Sequence, residues 1–149
     1  MHISEVIARK GIEVHAVGHQ SKLSQAIETM VKYSMGSVIV SNENSGEMLG
    51  LISQAELLAA LRDFGSPALD HCATGIMRKP APACRPDDDV ASVLRLMTSS
   101  RSRHMVVTDD IGTLHGIISI GDLVAAQLAE ARLEAGVLRD MARSRLMSA

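Results

Sequence analysis

One stretch indicates the fold of this chain: Leu114-His115-Gly116-Ile117-Ile118-Ser119-Ile120-Gly121-Asp122-Leu123-Val124. An apolar run ends there in Ser-x-x-Asp and leads into a long helical pattern, which predicts a strand, a tight turn and the start of a helix. The same arrangement occurs once before, at Leu49-Gly50-Leu51-Ile52-Ser53-Gln54-Ala55-Glu56-Leu57-Leu58, with its glycine, serine and acid each 66 positions before their counterparts. We call Ser53–Glu56 the first junction and Ser119–Asp122 the second junction. Two copies of one strand-to-helix junction indicate an internal repeat.

The elements around the two junctions recur in the same order. A helical pattern with apolar residues at i, i+3, i+4 and i+7 begins at Leu23 and again, 67 positions later, at Val90. The strand-like runs 38–40 and 105–107 have the same spacing. Each unit is therefore β-α-β-β-α, which is too small to bury both faces of its sheet, so two units must pack together. The predicted fold class is α/β (α+β), with two packed β-α-β-β-α repeats and a long C-terminal helix.

The composition is typical of a soluble globular chain, with 46% hydrophobic residues, 21% charged residues and a formal net charge of −2. No apolar run approaches the roughly 20 residues that cross a bilayer, and the N-terminus has no secretion signal. We therefore expect a cytoplasmic protein without a membrane partner. Nucleic acid is a poor partner, because the chain has no basic cluster and only Tyr33 and Phe64 to stack on bases. Cys72 and Cys84 lack the paired spacing of zinc or redox sites, so we expect reduced thiols.

The repeat resembles a tandem pair of CBS domains, the cystathionine-β-synthase type of module. The residues that carry the resemblance are Arg103–Val107, Gly116–Ser119 and Gly121–Leu123. The resemblance extends from about Ile3 to Leu128 and implies a pseudo-two-fold pair of repeats, 1–68 and 69–128, followed by a helical extension, 129–149. It also implies that the second junction forms half of a site for an adenosyl ligand.

The second junction has the chemistry of a ribose site. A short carboxylate on the first turn of a helix, such as that of Asp122, can accept hydrogen bonds from two adjacent ribose hydroxyls. The Ser119 hydroxyl and the free N–H groups of that turn can hold a phosphate or a ribose oxygen. Gly116 and Gly121 remove side chains where a ligand would approach the backbone.

The resemblance completes the expected site. Arg103 and His104 match positions that in the family often face ligand phosphates, and an arginine can bind a phosphate through two parallel hydrogen bonds. The base is expected against Ala83, Cys84, Met105 and Val106. The candidate ligand-binding residues are Ala83, Cys84, Arg103, His104, Met105, Val106, Gly116, Ile118, Ser119, Gly121 and Asp122.

Both junctions also fit a capping box, in which serine bonds the N3 amide and the acid reaches back to the N-cap amide without any ligand. We favour capping for the first junction, because Glu is the usual acid of that box, and ligand binding for the second. The first repeat has Gly36-Ser37 in place of Arg103-His104, and Ala55-Glu56 where similar family members often have Arg-Asp. We therefore expect one competent site, near the second junction. The residues of a weak second site are Val14, Ala16, Val38, Ser53 and Glu56.

No catalytic residue and no metal site is predicted. The six histidines include no pair at i and i+4 on one helix face, and His71-Cys72 alone supplies too few ligands for zinc. No serine lies in the glycine frame of a nucleophile elbow, and neither cysteine has an evident base partner in the sequence. We therefore do not expect an enzyme.

The C-terminal tail carries a helical pattern that runs without proline from Asp122 past Arg145. A helix of some six turns is longer than a small two-layer domain needs, so we expect its far end to cover a partner subunit. CBS pairs commonly form homodimers, which agrees with this expectation. The alternative is a frayed, solvated tail, because Gly136 lowers helix stability by about 1 kcal/mol. The apolar stripe consists of Leu128, Ala131, Ala135, Leu138 and Ala142.

The leading hypothesis from the sequence is a non-enzymatic sensor. It would bind an adenosyl ligand beside Asp122, with AMP first among the candidates AMP, ADP, ATP, NAD(H) and S-adenosylmethionine. The ligand would act by favouring one arrangement of the repeats or of the dimer. The alternative is a ligand-free scaffold that binds another protein through its dimer surface and C-terminal helix. The sequence does not identify the protein target in either case.

Overall fold

The computed structural model of the chain describes residues 1–11 and 13–148. Its elements follow the predicted order, with one short helix before each repeat and a 3₁₀ turn, Ser66–Asp70, between the repeats. The helices are α1 (Ile3–Lys10), α2 (Leu23–Lys32), α3 (Gln54–Phe64), α4 (Ala73–Ile76), α5 (Val90–Ser100) and α6 (Ile120–Met147). The strands are β1 (Ala16–Gly18), β2 (Ser37–Ser41), β3 (Met48–Ser53), β4 (Ala83–Cys84), β5 (His104–Thr108) and β6 (Leu114–Ser119).

The strands form two three-stranded sheets, β1-β2-β3 and β4-β5-β6. In each sheet the first pair of strands is parallel and the second pair is antiparallel. The antiparallel register shifts at matching places, between Val40 and Ser41 in one sheet and between Val107 and Thr108 in the other. The predicted fold of two β-α-β-β-α repeats is therefore confirmed, and the two sheets also share the position of this irregularity.

The two sheets pack against each other through an apolar layer of Ile39, Leu51, Val106 and Ile117. Neighbouring side chains on the same strands face the helices instead, as Val38 and Val40 do on β2, because successive side chains of a strand point to opposite faces. The strands are thus buried on both faces, which explains why they appear in the sequence as continuous apolar runs.

The helix that precedes each repeat packs on the other repeat. In the sequence, α1 belongs to the first repeat, but it lies against β6 and α6, and Ile3, Val6 and Ile7 join the core of the second repeat. The helix α4 likewise packs on β3, α2 and α3 of the first repeat. This exchange was not predicted from the sequence. It carries Lys10, at the end of α1, to the second junction.

The long C-terminal helix is confirmed, because α6 is continuous for 28 residues. Its first turns pack on α5 and α1, with Leu123 fully buried. From Val124 onward its large apolar side chains are exposed. Among the described helices, none is both long enough and apolar enough to cross a membrane.

Candidate functional site

The second junction contains the capping box that its sequence allows. Ser119 is the N-cap of α6, and its Oγ accepts a hydrogen bond from the backbone N–H of Asp122 at 3.1 Å. The Asp122 Oδ2 in turn accepts the backbone N–H of Ser119 at 2.8 Å. Gly121 lies exposed on the same turn. The carboxylate is therefore held in one orientation by the helix itself.

A lysine from the exchanged helix already binds this carboxylate. Lys10 Nζ donates to Asp122 Oδ2 at 2.7 Å and to the carbonyl oxygen of Ile117 at 3.0 Å. Burial raises the pKa of Asp122, but the hydrogen bonds from Lys10 and Ser119 outweigh it and hold that pKa below its ordinary value. A ribose bound at Asp122 must share this carboxylate with Lys10 or displace the ammonium group.

The first junction is capped in the same way. Ser53 is the N-cap of α3, and Glu56 Oε2 accepts the backbone N–H of Ser53 at 2.8 Å as well as its hydroxyl proton. One carboxylate oxygen of Glu56 is thus used by the cap, while Oε1 stays available to a further donor. The capping interaction predicted for this junction is present.

A cavity of about 260 Å³ opens beside the first junction. Three arginines, Arg78, Arg101 and Arg103, line it together with Ser53 and Glu56. The charged side chains of the cavity are therefore three guanidinium groups and one carboxylate. This excess of positive charge favours the binding of an anion. The remaining lining residues are Leu51, Gln54, Ala55, Leu58, Pro82, Ser102 and His104.

Backbone contacts fix the arginines at the cavity. Arg78 pairs with Leu51 of β3 through two backbone hydrogen bonds of 2.8 and 3.1 Å, and its Nη1 donates to Ser102 Oγ at 2.8 Å. Arg101 ends α5 in the left-handed conformation, with a φ of 54°. Arg103 directly precedes β5. The cavity therefore combines the junction of one repeat with the basic residues of the other.

His104 lies between the two repeats. A Cβ at Gly36 would come within 2.8 Å of the Cε1 and Nε2 atoms of the His104 ring, so only glycine leaves room for the ring there. Burial lowers the pKa of the imidazole below its ordinary value, and the neighbouring Lys10 lowers it further. The ring is therefore neutral at pH 7, and its buried Nδ1 has no hydrogen-bond partner among the described residues. His104 can offer a phosphate one N–H group but no full charge.

Most of the apolar side chains expected in the ligand site, at the base and at Ile118, lie in the core. Cys84, Met105 and Ile118 pack between the second sheet and its helices, and Val106 packs between the two sheets. Strand alternation forces this, because each side chain of β5 faces either the helices or the other sheet. Burial also raises the pKa of the Cys84 thiol to about 12. Ala83 differs from these residues in being exposed.

The other predicted residues are dispersed. A Cβ at Gly116 would lie 3.0 Å from Ile7 Cδ1. The missing side chain therefore leaves room for Ile7 of α1 and not for a ligand. Val14 and Ala16 line a separate cavity near Ile39, and Val38 is fully buried in the core of the first repeat. The expected weak second site is therefore not assembled as one group, although Ser53 and Glu56 remain together.

The predicted phosphate-binding residues lie near both junctions. The Arg103 carbonyl accepts the backbone N–H of Ile120 at 2.9 Å, and His104 pairs with Ser119 between β5 and β6. Both residues also line the cavity of Ser53 and Glu56, which was not predicted from the sequence. Lys10, Arg78 and Arg101 were not predicted from the sequence as site residues. A weak signal exists for the first two, since Arg9-Lys10 and Arg78-Lys79 stand at matching places before the two repeats.

The buried imidazole predicts a dependence of stability on pH. Since His104 is harder to protonate in the folded chain than in the unfolded chain, its contribution is present above about pH 6.5 and is lost as pH falls toward the lowered pKa. Asp122 acts in a lower window, because its lowered pKa stabilises the fold above about pH 3.9. Urea unfolding between pH 8 and 5 should show the first loss. The loss of unfolding free energy between pH 8 and 5 should be smaller in His104→Gln. If the free energy of unfolding of that variant fell with pH as steeply as that of the wild type, this assignment would be contradicted.

Comparison with known proteins agrees with this architecture. The family model described as "CBS domain" matches residues 3–63 and 73–129. The crystal structure of the CBS-domain containing protein ATU1752 from Agrobacterium tumefaciens superposes with a TM-score of 0.80, at 30% identity over 85% of this chain and 92% of that one. An uncharacterized 17.7 kDa protein of Acidianus ambivalens is 27% identical over 128 residues, 85% of this chain and 73% of that one.

A more distant structure shares the fold and was solved with a nucleotide. The CBS domain protein PAE2072 from Pyrobaculum aerophilum, complexed with AMP, has a TM-score of 0.71 at 20% identity, over 82% of this chain and 89% of that one. In the described part of this chain, no group of three or more His, Cys, Asp or Glu side chains is placed to hold a metal ion.

Proposed function

The chain belongs to the family of CBS-domain proteins. On this premise we propose that it is a non-enzymatic regulatory module that binds an adenosyl ligand, with AMP as the leading candidate. Pairs of CBS domains are in general regulatory and non-catalytic modules. The observation that carries the proposal is the cavity in which three arginines face the first junction. The AMP complex of the Pyrobaculum protein supports the choice of ligand.

The phosphate would bind among the arginines. Guanidinium groups form short, charge-assisted and often paired hydrogen bonds with phosphate oxygens. Arg103 and Arg101 are exposed and can turn toward a ligand, while Arg78 is anchored to Ser102. The N-terminus of α3, an 11-residue helix, opens on the same cavity and favours negative charge.

The ribose would bind at Glu56. The capping box holds the Glu56 carboxylate through Oε2, so Oε1 can accept a ribose hydroxyl. Small-molecule cavities usually measure about 300–1,000 Å³, and the volume here lies just below that range. A mononucleotide therefore suits the cavity better than a dinucleotide such as NAD. The site expected at Asp122 is the second candidate. Among the described residues, Lys10 is the one lysine or arginine that is hydrogen-bonded to its carboxylate.

The regulatory step would follow from the way the cavity is built. Ser53 and Glu56 come from the first repeat and Arg101 and Arg103 from the second, so a bound nucleotide connects the two repeats. Such a ligand stabilises the arrangement in which both sets of contacts can form. We further propose that the module acts as a homodimer and transmits this change to a separate protein.

A thermal-shift panel tests the function. The wild type is measured with AMP, ADP, ATP, NAD, NADH and S-adenosylmethionine, and AMP at 100 times its dissociation constant should stabilise it by about 2.7 kcal/mol, a shift of several degrees. The shift should disappear in Glu56→Ala and persist in Asp122→Ala. Each variant is compared with itself without ligand, because both also lose a cap worth about 0.5–2 kcal/mol.

The two variants distinguish the two candidate sites. A shift that persists in Glu56→Ala and disappears in Asp122→Ala would place the ligand at the second junction, as expected from the sequence. If no compound of the panel shifts the wild type at millimolar concentration, the proposed function is contradicted. The ligand-free scaffold would then remain, which the exposed apolar side chains of α6 favour.

A further inference from the structure

The outer face of α6 carries a regular apolar seam. Val124, Leu128 and Leu138 are 45%, 54% and 67% exposed, and Ala131 and Ala135, which lie between the two leucines, are exposed as well. The spacing alternates between four and three residues, which is the a and d pattern of a coiled coil. The α6 seam consists of Val124, Leu128, Ala131, Ala135, Leu138 and Ala142.

This seam is not the face that packs on the domain. Leu123 is fully buried and Ala126 packs on the same core cluster, while Glu130 is partly buried beyond them. At 100° per residue, the side of α6 that these residues share lies about a third of a turn from the seam. One helix can therefore contact its own domain on one side and a second helix on the other.

We infer that the α6 seam binds the same seam of a second copy of this chain as a parallel two-stranded coiled coil. The charges beside the seam support the parallel direction. With Leu128, Ala135 and Ala142 at a, Glu134 occupies a g position and Arg139 the e position five residues later. In parallel coiled coils g faces the following e position of the partner helix, so Glu134 of each chain meets an arginine.

An antiparallel arrangement would bring like charges together. In that direction g positions face g positions and e positions face e positions. The e positions of the seam are Ala125, Arg132 and Arg139, so arginines would lie opposite arginines when the two central heptads align. Alanines at Ala131, Ala135 and Ala142 allow the two backbones to approach closely along the seam. The inference rests on the proposed homodimer and is independent of nucleotide binding.

Two matched leucines test the surface. Leu138 lies in the seam and Leu133 lies on the opposite side of α6, and they are 67% and 70% exposed. Sedimentation equilibrium of the full chain should show a wild-type dimer, a dissociation constant raised about 100-fold or more in Leu138→Glu, and little change in Leu133→Glu. A monomeric wild type at about 100 μM, an unchanged Leu138→Glu, or dissociation by Leu133→Glu would each overturn the inference.

A cysteine cross-link tests the direction. In a Cys72→Ser background, Ala142→Cys should form a disulfide-linked dimer on mild oxidation, because equivalent a positions meet in a parallel coiled coil. The absence of that cross-link in a dimeric sample would overturn the parallel direction. The rise in melting temperature that AMP causes is also measured for Leu138→Glu. Failure of nucleotide binding and failure of the coiled coil then appear in separate measurements.

Discussion

Replacing Arg103 by glutamate is expected to weaken AMP binding by about 100-fold or more. The substitution removes a charge-assisted hydrogen bond to the phosphate, worth roughly 1.5–3 kcal/mol, and places a carboxylate where the phosphate would bind. Each 1.4 kcal/mol corresponds to a factor of about ten in the dissociation constant. Arg103 is exposed, so the variant should fold like the wild type. Isothermal titration calorimetry of both proteins measures the difference.

Arg95 provides the matched control. It is an exposed arginine on α5 whose guanidinium bonds to Ser92 rather than lining the cavity. Arg95→Glu changes the net charge of the chain by the same amount, so it isolates the effect of contact from that of overall charge. Equal losses in the two variants, or an unchanged affinity in Arg103→Glu, would contradict the phosphate site proposed here.

The sequence predicts the elements because their signals are local. The 3.6-residue pattern beginning at Leu23 and the apolar run at Val38 each report on a single helix or strand, and the 66- to 67-residue repeat supplies the pairing. The junction residues Ser53 and Ser119 are equally local, since each bonds a residue three positions away. Such local features form in the same way regardless of which other elements pack against them.

The composition of the site depends on contacts between residues that are distant in the chain, which local patterns in a single sequence do not reveal. Lys10 and Asp122 are 112 positions apart and meet only because α1 crosses to the second repeat. Arg103 lines one cavity with Glu56 for a related reason, since the basic residues of the second repeat face the junction of the first. The Arg103 carbonyl also accepts the backbone N–H of Ile120 at 2.9 Å, so the same residue lies next to the second junction.

The exchanged helices make the two repeats depend on each other. Each repeat lacks part of its core when it stands alone, since α1 completes the second repeat and α4 the first. The apolar layer between the sheets adds a further shared core. We therefore expect the two repeats to unfold in one cooperative transition rather than as two separate units.

Truncating Ile3 to alanine is expected to destabilise the whole chain by about 2–5 kcal/mol, because Ile3 is fully buried in the core of the second repeat. Urea unfolding should show a lower midpoint, an unchanged slope and a single transition, since the loss reaches both repeats. Ile111→Ala is the matched control: Ile111 is 88% exposed, and its truncation should change stability by no more than about 0.5 kcal/mol. Two resolved transitions in Ile3→Ala, with the first repeat unaffected, would show that α1 does not couple the repeats.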